Sequence, residues 1–248
     1  MKVNIYSIDG KVKGDMVLPA AFETPFRPDV IKKAFEVARG NARHAYGASP
    51  ESGRRHAVSG IGKGHGASRV PRIHGLNRAG LAPNVVGGMP GHGPKSYKNW
   101  SEKINKKENQ LAIMSAIAAT ADAAIVAGRG HKFKEGSVLP VVVEDKFESL
   151  EKTAEVAKFL ESLGLYADVE RAEDGVKIRA GRGKMRARRR KEPTGILIVA
   201  SKKMKAGNLA GVDVITPEQL NVKALAPGGV AGRLAVFTEA AVKQIGGW

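Results

Sequence analysis

Between Arg43 and Trp100 the chain holds twelve glycines and nine basic residues, with no apolar residue recurring at a helical or strand period. This stretch limits the fold more than any other, because residues that lack a side chain or carry a charge cannot pack a core of their own. Its cations are Arg43, Arg54, Arg55, Lys63, Arg69, Arg72, Arg78, Lys95 and Lys98, against the single acid Glu51, which leaves a net charge of +8. A polyanion is therefore expected around it.

The remainder can fold. Of the 248 residues 42% are hydrophobic, enough for a core outside the glycine-rich stretch, while the net charge of +17 and a pI near 10.1 point to nucleic acid as partner. A membrane fits less well, since the sequence has neither an apolar run of about 18 residues nor a basic amphipathic helix backed by bulky aromatics. Met1 to Tyr6 alternates apolar and polar residues as a strand does, without the apolar block of a signal peptide, and a cytosolic protein is expected. With no cysteine present, disulfides, thiolate zinc sites and cysteine nucleophiles are excluded.

Taken in order, Val3 to Ile8 reads as a strand closed by the turn dipeptide Asp9-Gly10. Pro28, then the stripe of Val30, Ile31, Ala34, Phe35 and Ala38, predicts a helix from about 28 to 43. After the glycine-rich stretch, Asn105 and Glu108 have the spacing of a capping box before a broadly apolar helix containing Leu111, Met114 and Ala118. Val138 to Val143 is nearly continuous and β-branched, the pattern of a strand covered on both faces, with Pro140 near its start. A helix through Val156, Leu160 and Leu163 ends at Gly164. Strands follow at Ile196–Val199 and Val212–Ile215, then a helix start at Thr216-Pro217-Glu218-Gln219, then a strand at Leu234–Phe237 and a capped helix from Thr238 to Ile245. This alternation predicts an α/β fold, a three-layer sandwich with a mostly parallel central sheet, plus a long extended internal loop.

A second basic cluster interrupts that pattern, with Lys177, Arg179, Arg182, Lys184, Arg186, Arg188, Arg189, Arg190 and Lys191 in fifteen residues. Such a cluster needs solvent or phosphates to offset its own repulsion. Gly60 to Gly66 looks like a phosphate-cradling loop, yet it lacks the preceding strand, the following helix and the distant acid of a dinucleotide site, and the Gly-Lys-Ser/Thr ending of a P-loop. His44, His56, His65, His74 and His92 fall at none of the usual ligand spacings, and contacts to bases, phosphates or 2′-hydroxyls suit them better than a metal. The acids Glu144, Asp145, Glu148, Glu151, Glu155 and Glu161 read as a solvated face, and no nucleophile, base and orienting acid emerge together. Ile61, Val70, Ile73, Leu76, Leu81, Val85, Val86 and Met89, with four prolines, are too apolar and too stiff for a plain linker, so the stretch reads as a segment ordered inside folded RNA.

Three motifs sharpen this reading: Ala82-Pro83 with Gly91-His92-Gly93-Pro94-Lys95, the run from Gly62 to Arg72, and Gly183-Lys184-Met185-Arg186-Ala187-Arg188-Arg189-Arg190. Together they closely resemble the L-four family of large-subunit ribosomal proteins in its archaeal and eukaryotic form, along essentially the whole chain. Ending at Trp248 without a long basic tail favours the archaeal type, and Met185 departs from the glycine usual at its position. The resemblance implies one α/β globular domain over 1–248 with residues 44–100 as an inserted basic loop threaded into rRNA. It implies rRNA binding by Arg43, Arg54, Arg55, His56, Lys63, His65, Arg69, Arg72, His74, Arg78, His92, Lys95, Lys98, Lys184, Arg186, Arg188, Arg189 and Arg190. Lys63, Gly64, His65, Gly66, Ser68 and Arg69 are implied at the wall of the peptide exit tunnel, beside the nascent peptide. The expected role is structural, in the cytoplasmic large subunit, with rRNA and neighbouring ribosomal proteins as partners and no cofactor, metal or catalysis. The rival readings are a nucleotide-dependent α/β enzyme using Gly60 to Gly66 and a DNA-compacting protein.

Overall fold

Runs of β-branched residues and amphipathic stripes fix most of the elements in the computed structural model, which describes residues 1–134 and 136–247. In chain order these are β1 (Lys2–Tyr6), β2 (Val12–Val17), α1 (Pro28–Asn41), β3 (Val58–Gly60), β4 (Pro71–Ile73), α2 (Lys106–Ala118), α3 (Ala123–Gly128), β5 (Val141–Val143), α4 (Thr153–Ser162), α5 (Tyr166–Asp174), β6 (Lys177–Ile178), β7 (Arg190–Lys191), β8 (Leu197–Val199), β9 (Asp213–Ile215), α6 (Val222–Leu225), β10 (Ala235–Thr238) and α7 (Glu239–Ile245). They fall into two compact units. One comprises Met1–Arg39 and the chain from Lys103 onward, the other Gly40–Glu102.

The first unit is built on a six-stranded sheet in the order β2-β1-β5-β10-β8-β9. Only the β1/β2 pair is antiparallel; Ile5 aligns with Val142, Val142 with Phe237, Phe237 with Val199 and Val199 with Ile215 in parallel register. Because side chains alternate along a strand, each central strand feeds two cores. Val142, Leu197, Val199, Ala235 and Phe237 join Ile31, Ile117, Leu225 and Val242 on one face. Val141, Val143, Ile196, Ile198, Leu234 and Val236 join Phe147, Phe159, Leu160 and Val169 on the other. The sheet is thus the middle of three layers, as the unbroken apolar runs predict, and each such side chain contributes roughly 1.5–3 kcal/mol by leaving water.

Several local expectations fail for identifiable reasons. The first strand stops at Tyr6, because the Ser7 N–H turns to the Lys11 carbonyl at 2.9 Å. The run from Val138 pairs only from Val141 onward, after Pro140, which has no N–H to give. The first helix ends at Asn41, two residues short of the predicted Arg43. Asn105 precedes α2 but makes no side-chain cap, and Glu108 takes Lys33 Nζ at 2.6 Å instead of reaching back. Thr216 to Gln219 forms a single 3-10 turn, and the next helix is capped by Asn221, whose Oδ1 accepts from the Ala224 N–H at 2.9 Å. Thr238 does cap α7, accepting from Ala241 at 3.3 Å.

The acidic run is also not uniformly a solvated face. Glu144 is buried and accepts from Lys13 Nζ at 2.7 Å and from the Ile8 N–H at 3.1 Å. Asp145 accepts the Ala240 N–H at 2.8 Å. Glu148 accepts from the Ser201 N–H and hydroxyl at 2.7 and 2.6 Å and from the Thr238 hydroxyl at 2.6 Å. Burial pushes the Glu148 carboxyl up, but these donors outweigh it and leave it below the usual range. Three acids that follow β5 therefore tie its carboxyl end to the β1–β2 hairpin, to the segment after β8, to β10 and to α7.

Candidate nucleic-acid interface

With so few apolar side chains, the unit Gly40–Glu102 must be held by its backbone. Gly80 is its only buried residue. At its foot Asn41 and Glu102 exchange bonds, Asn41 Nδ2 donating to the Glu102 carbonyl at 3.1 Å and the Glu102 N–H to Asn41 Oδ1 at 2.8 Å. Farther out the Ala48 N–H donates to the Pro94 carbonyl at 2.9 Å, and Gly53 passes against Gly88 so closely that a Cβ on Gly53 would overlap the Gly88 main chain, while a Cβ on Gly88 would overlap the Ala82 carbonyl. Glycine is required there by the protein itself. A short hairpin of β3 and β4 follows, pairing Val58 with Ile73 and Gly60 with Pro71. Beyond it the turn residues Gly62, Gly64 and Gly66 have φ of +78°, +83° and +62°, and no atom lies within 4 Å of where their Cβ would be.

Most of the predicted RNA-facing residues are exposed: Arg43, Arg54, Arg55, His56, Lys63, His65, Arg69, His74, Arg78, His92, Lys95 and Lys98 in this unit. Arg72 differs. It is half-buried, donating to the Asn77 carbonyl at 2.7 Å and the Ser68 carbonyl at 3.3 Å, and so shapes the turn from within. Arg78 donates to the Val86 carbonyl at 2.9 Å, and Arg55 pairs with Glu51 at 2.5 Å. Arg43 lies 4.1 Å from the centre of the Trp100 ring and Lys98 lies 4.3 Å from it, contacts the sequence gives no hint of. Among the described residues Arg54, Lys63 and Arg69 have no ion-pair partner, so the charge at the hairpin and its tip is left for something else to neutralise. Gly60 ends a strand and the next element is another strand, so Gly60 to Gly66 is not the strand-to-helix phosphate loop of a nucleotide site. Among the described residues no three His, Asp or Glu side chains converge as metal ligands.

The second basic cluster is a two-stranded ribbon. β6 and β7 pair Lys177 with Lys191 and Ile178 with Arg190, and the Arg179 N–H adds a bond to the Arg189 carbonyl at 2.8 Å. A 3-10 turn at Arg182–Met185 and a positive φ of 58° at Ala187 let the chain reverse. Lys184, Arg186, Arg188, Arg189 and Arg190 are all exposed on it. Two-residue strands carry too little alternation to be read in sequence, and only the long cationic run marks the place.

The ribbon stands on a buried polar mount that the sequence does not reveal. Asp168 on α5 accepts from Arg171 Nε at 2.8 Å and from the Lys132 N–H at 3.0 Å and lies 3.0 Å from His131 Nδ1. Burial pushes the Asp168 carboxyl up, yet His131 and Arg171 bring it below its ordinary value of 3.8. Arg171 also donates to the Thr194 carbonyl at 3.0 Å, which holds the strand leaving the ribbon against α5. Arg233 is buried beside them, donating to the Gly195 and Ala224 carbonyls and, at 2.7 Å, to Asp213. Two clusters of exposed cations on such supports suit a phosphate backbone: positively charged, shaped by main chain, and poor in groups that could do covalent chemistry.

The model of the ribosomal protein L4/L1 family matches residues 16–248. The chain is 47% identical to large ribosomal subunit protein uL4 of Thermoplasma acidophilum over 247 residues, 98% of this chain and 97% of the relative. It is 47% identical over 249 residues to the protein of the same name from Methanocaldococcus jannaschii, covering 99% of this chain and 98% of the relative. It is 46% identical over 247 residues to that of Haloarcula marismortui, covering 99% of each.

Proposed function

Because the chain belongs to the ribosomal protein L4/L1 family, we propose that it is a structural, non-catalytic constituent of the large ribosomal subunit that binds large-subunit rRNA. The observation that carries this reading is the pair of exposed cationic regions, residues 44–100 and the ribbon of Lys184 to Arg190, with few acids of the protein's own to neutralise them. On this reading the rest of 1–248 is one α/β globule that anchors residues 44–100 in rRNA, and neighbouring ribosomal proteins complete its surroundings. Arg43, Arg54, Arg55, His56, Lys63, His65, Arg69, His74, Arg78, His92, Lys95 and Lys98 meet RNA directly, while Arg72 acts by holding the turn. Phosphate contacts make such binding steeply salt-dependent; on duplex DNA six to ten of them lose roughly 10³ to 10⁵ in affinity between 50 and 200 mM salt.

Co-sedimentation with the large subunit after a high-salt wash tests the assignment. Retention is expected, and release into the free fraction, or equal affinity for duplex DNA and structured rRNA, overturns it. The finer part of the proposal places Lys63, Gly64, His65, Gly66, Ser68 and Arg69 along the peptide exit tunnel, supported by the open space around the tip glycines. Since the chain has no cysteine, Ser68→Cys introduces a single thiol at the tip. Alkylated with a photoactivatable cross-linker, it is expected in assembled ribosomes to cross-link to an arrested nascent peptide on illumination; cross-links to rRNA alone would refute the tunnel placement.

A further inference from the structure

The foot of the unit Gly40–Glu102 carries a concavity of about 180 Å³ whose lining includes Asn41, Arg43, Lys98, Asn99, Trp100 and Ser101. Two cations converge on one aromatic ring there, Arg43 at 4.1 Å and Lys98 at 4.3 Å from the Trp100 centroid. Neither has an ion-pair partner among the described residues, and Arg43 spends one donor on the Tyr46 hydroxyl at 3.1 Å. An aromatic face offsets a cation only in part, and two cations on one ring with no carboxylate beside them among the described residues leave a local positive potential that an anion can neutralise. The same ring holds a second unmet demand: Trp100 Nε1 is buried without an acceptor. Both cations are exposed, and their long side chains end in donors that can turn toward an oxyanion.

We propose that this concavity is a discrete phosphate-binding pocket, in which Arg43 and Lys98 clamp one phosphate group and Trp100 Nε1 donates to it. Its ligand is a backbone phosphate of RNA, so the inference rests on the RNA-binding role proposed above. It goes beyond that role in replacing diffuse attraction by a shaped site with its own stoichiometry. Asn41 is spent on the Glu102 main chain, but Asn99 and Ser101 supply neutral polar groups around the same space, which favours a single oxyanion over a base needing a flat apolar slot.

The chain has two tryptophans, and Trp248→Phe leaves Trp100 as the only indole reporter. Full-length protein with that change is titrated with inorganic phosphate at constant ionic strength, chloride being exchanged for phosphate, while Trp100 emission is followed. A saturable, one-site response is expected, weakened at least tenfold by Arg43→Gln or Lys98→Gln, with unchanged circular dichroism certifying the fold of each variant. A response equal in chloride, a linear one, or one indifferent to both substitutions overturns the pocket. A second arm adds rRNA fragments: loss of the phosphate response on RNA binding assigns the pocket to RNA, and its persistence shows a site for free phosphate and refutes the RNA assignment. Retention on large subunits is measured separately on the same variants. If rRNA binding persists without any phosphate response, the pocket fails alone; if rRNA binding itself is absent, the proposed function fails with it.

Discussion

The globule and the glycine-rich unit are two solutions to the same problem of holding a chain in place. In the globule, central strands send alternate side chains into two apolar cores, so order comes from area removed from water. In Gly40–Glu102 a single residue is buried, and order comes from backbone crossings at Ala48–Pro94 and Gly53–Gly88, from Arg72 folded onto its own turn and from cations over Trp100. Hydrogen bonds open to water contribute little net free energy, about 0.5–1.5 kcal/mol each. The second solution therefore leaves room for a partner to add order, as the proposed function requires, and the first is complete in itself.

Substitutions can break that contrast. The largest effect is expected in the sheet: Phe237→Ala, at a fully buried position, should cost about 3–5 kcal/mol in urea unfolding, whereas Leu76→Ala, 61% exposed, should stay within about 0.5 kcal/mol. Equal losses would mean that the glycine-rich unit has a core of its own.

Next comes the mount of the ribbon. Asp168→Asn removes the charge and turns one of the two acceptor oxygens into an NH2 donor, leaving the half-buried Arg171 without its charged partner, and should cost about 3 kcal/mol at pH 7. The sign with pH follows from the lowered carboxyl. A group whose folded pKa lies below its unfolded value stabilises above the unfolded value and loses that contribution as pH falls through the folded one. The wild-type stability curve should thus drop below about pH 4, and the variant's curve should be flatter there; parallel acid limbs would refute the assignment.

A smaller, local effect separates two kinds of glycine. Gly88→Ala forces a Cβ onto the Ala82 carbonyl and should lower local stability by about 1–3 kcal/mol, seen as faster amide exchange confined to residues 40–102. Gly60→Ala meets open space and should leave the free protein unchanged while impairing assembly if RNA closes around it. Matching exchange rates in both variants would erase the distinction. The smallest effect is at Glu51, exposed and paired with Arg55. Glu51→Gln should leave the melting temperature unchanged and raise rRNA affinity at low salt, and a clear loss of stability would show the pair to be structural.

Much of the fold is legible in sequence where one pattern dominates locally. The runs around Val141, Ile198 and Val236 need burial on both faces, and Thr238 sits where its hydroxyl can cap the helix that follows. What escapes is decided at a distance. β2, Val-Lys-Gly-Asp-Met-Val, becomes a strand by pairing with β1, and Asn105 and Thr216 fail as caps although their spacing is ideal. For the interface, charge marks every cation yet cannot tell Arg72, spent on two carbonyls, from Arg69, which reaches solvent. Nor can it find the His131–Asp168–Arg171 mount, whose members are 37 and 3 residues apart and meet only after folding.

The register of the sheet has a consequence for synthesis. Ile5 pairs with Val142, so the first strand cannot take its place in the parallel sheet until about 137 further residues have been made. At about 5–20 residues per second that is a wait of roughly 7–27 seconds. For the last 40 of those residues, from Glu102 to Val142, the basic segment is already translated in full while the rest of the chain is still incomplete. Each new copy thus passes through an interval in which its most basic segment is presented before the sheet can close, and any polyanion within reach competes for it first.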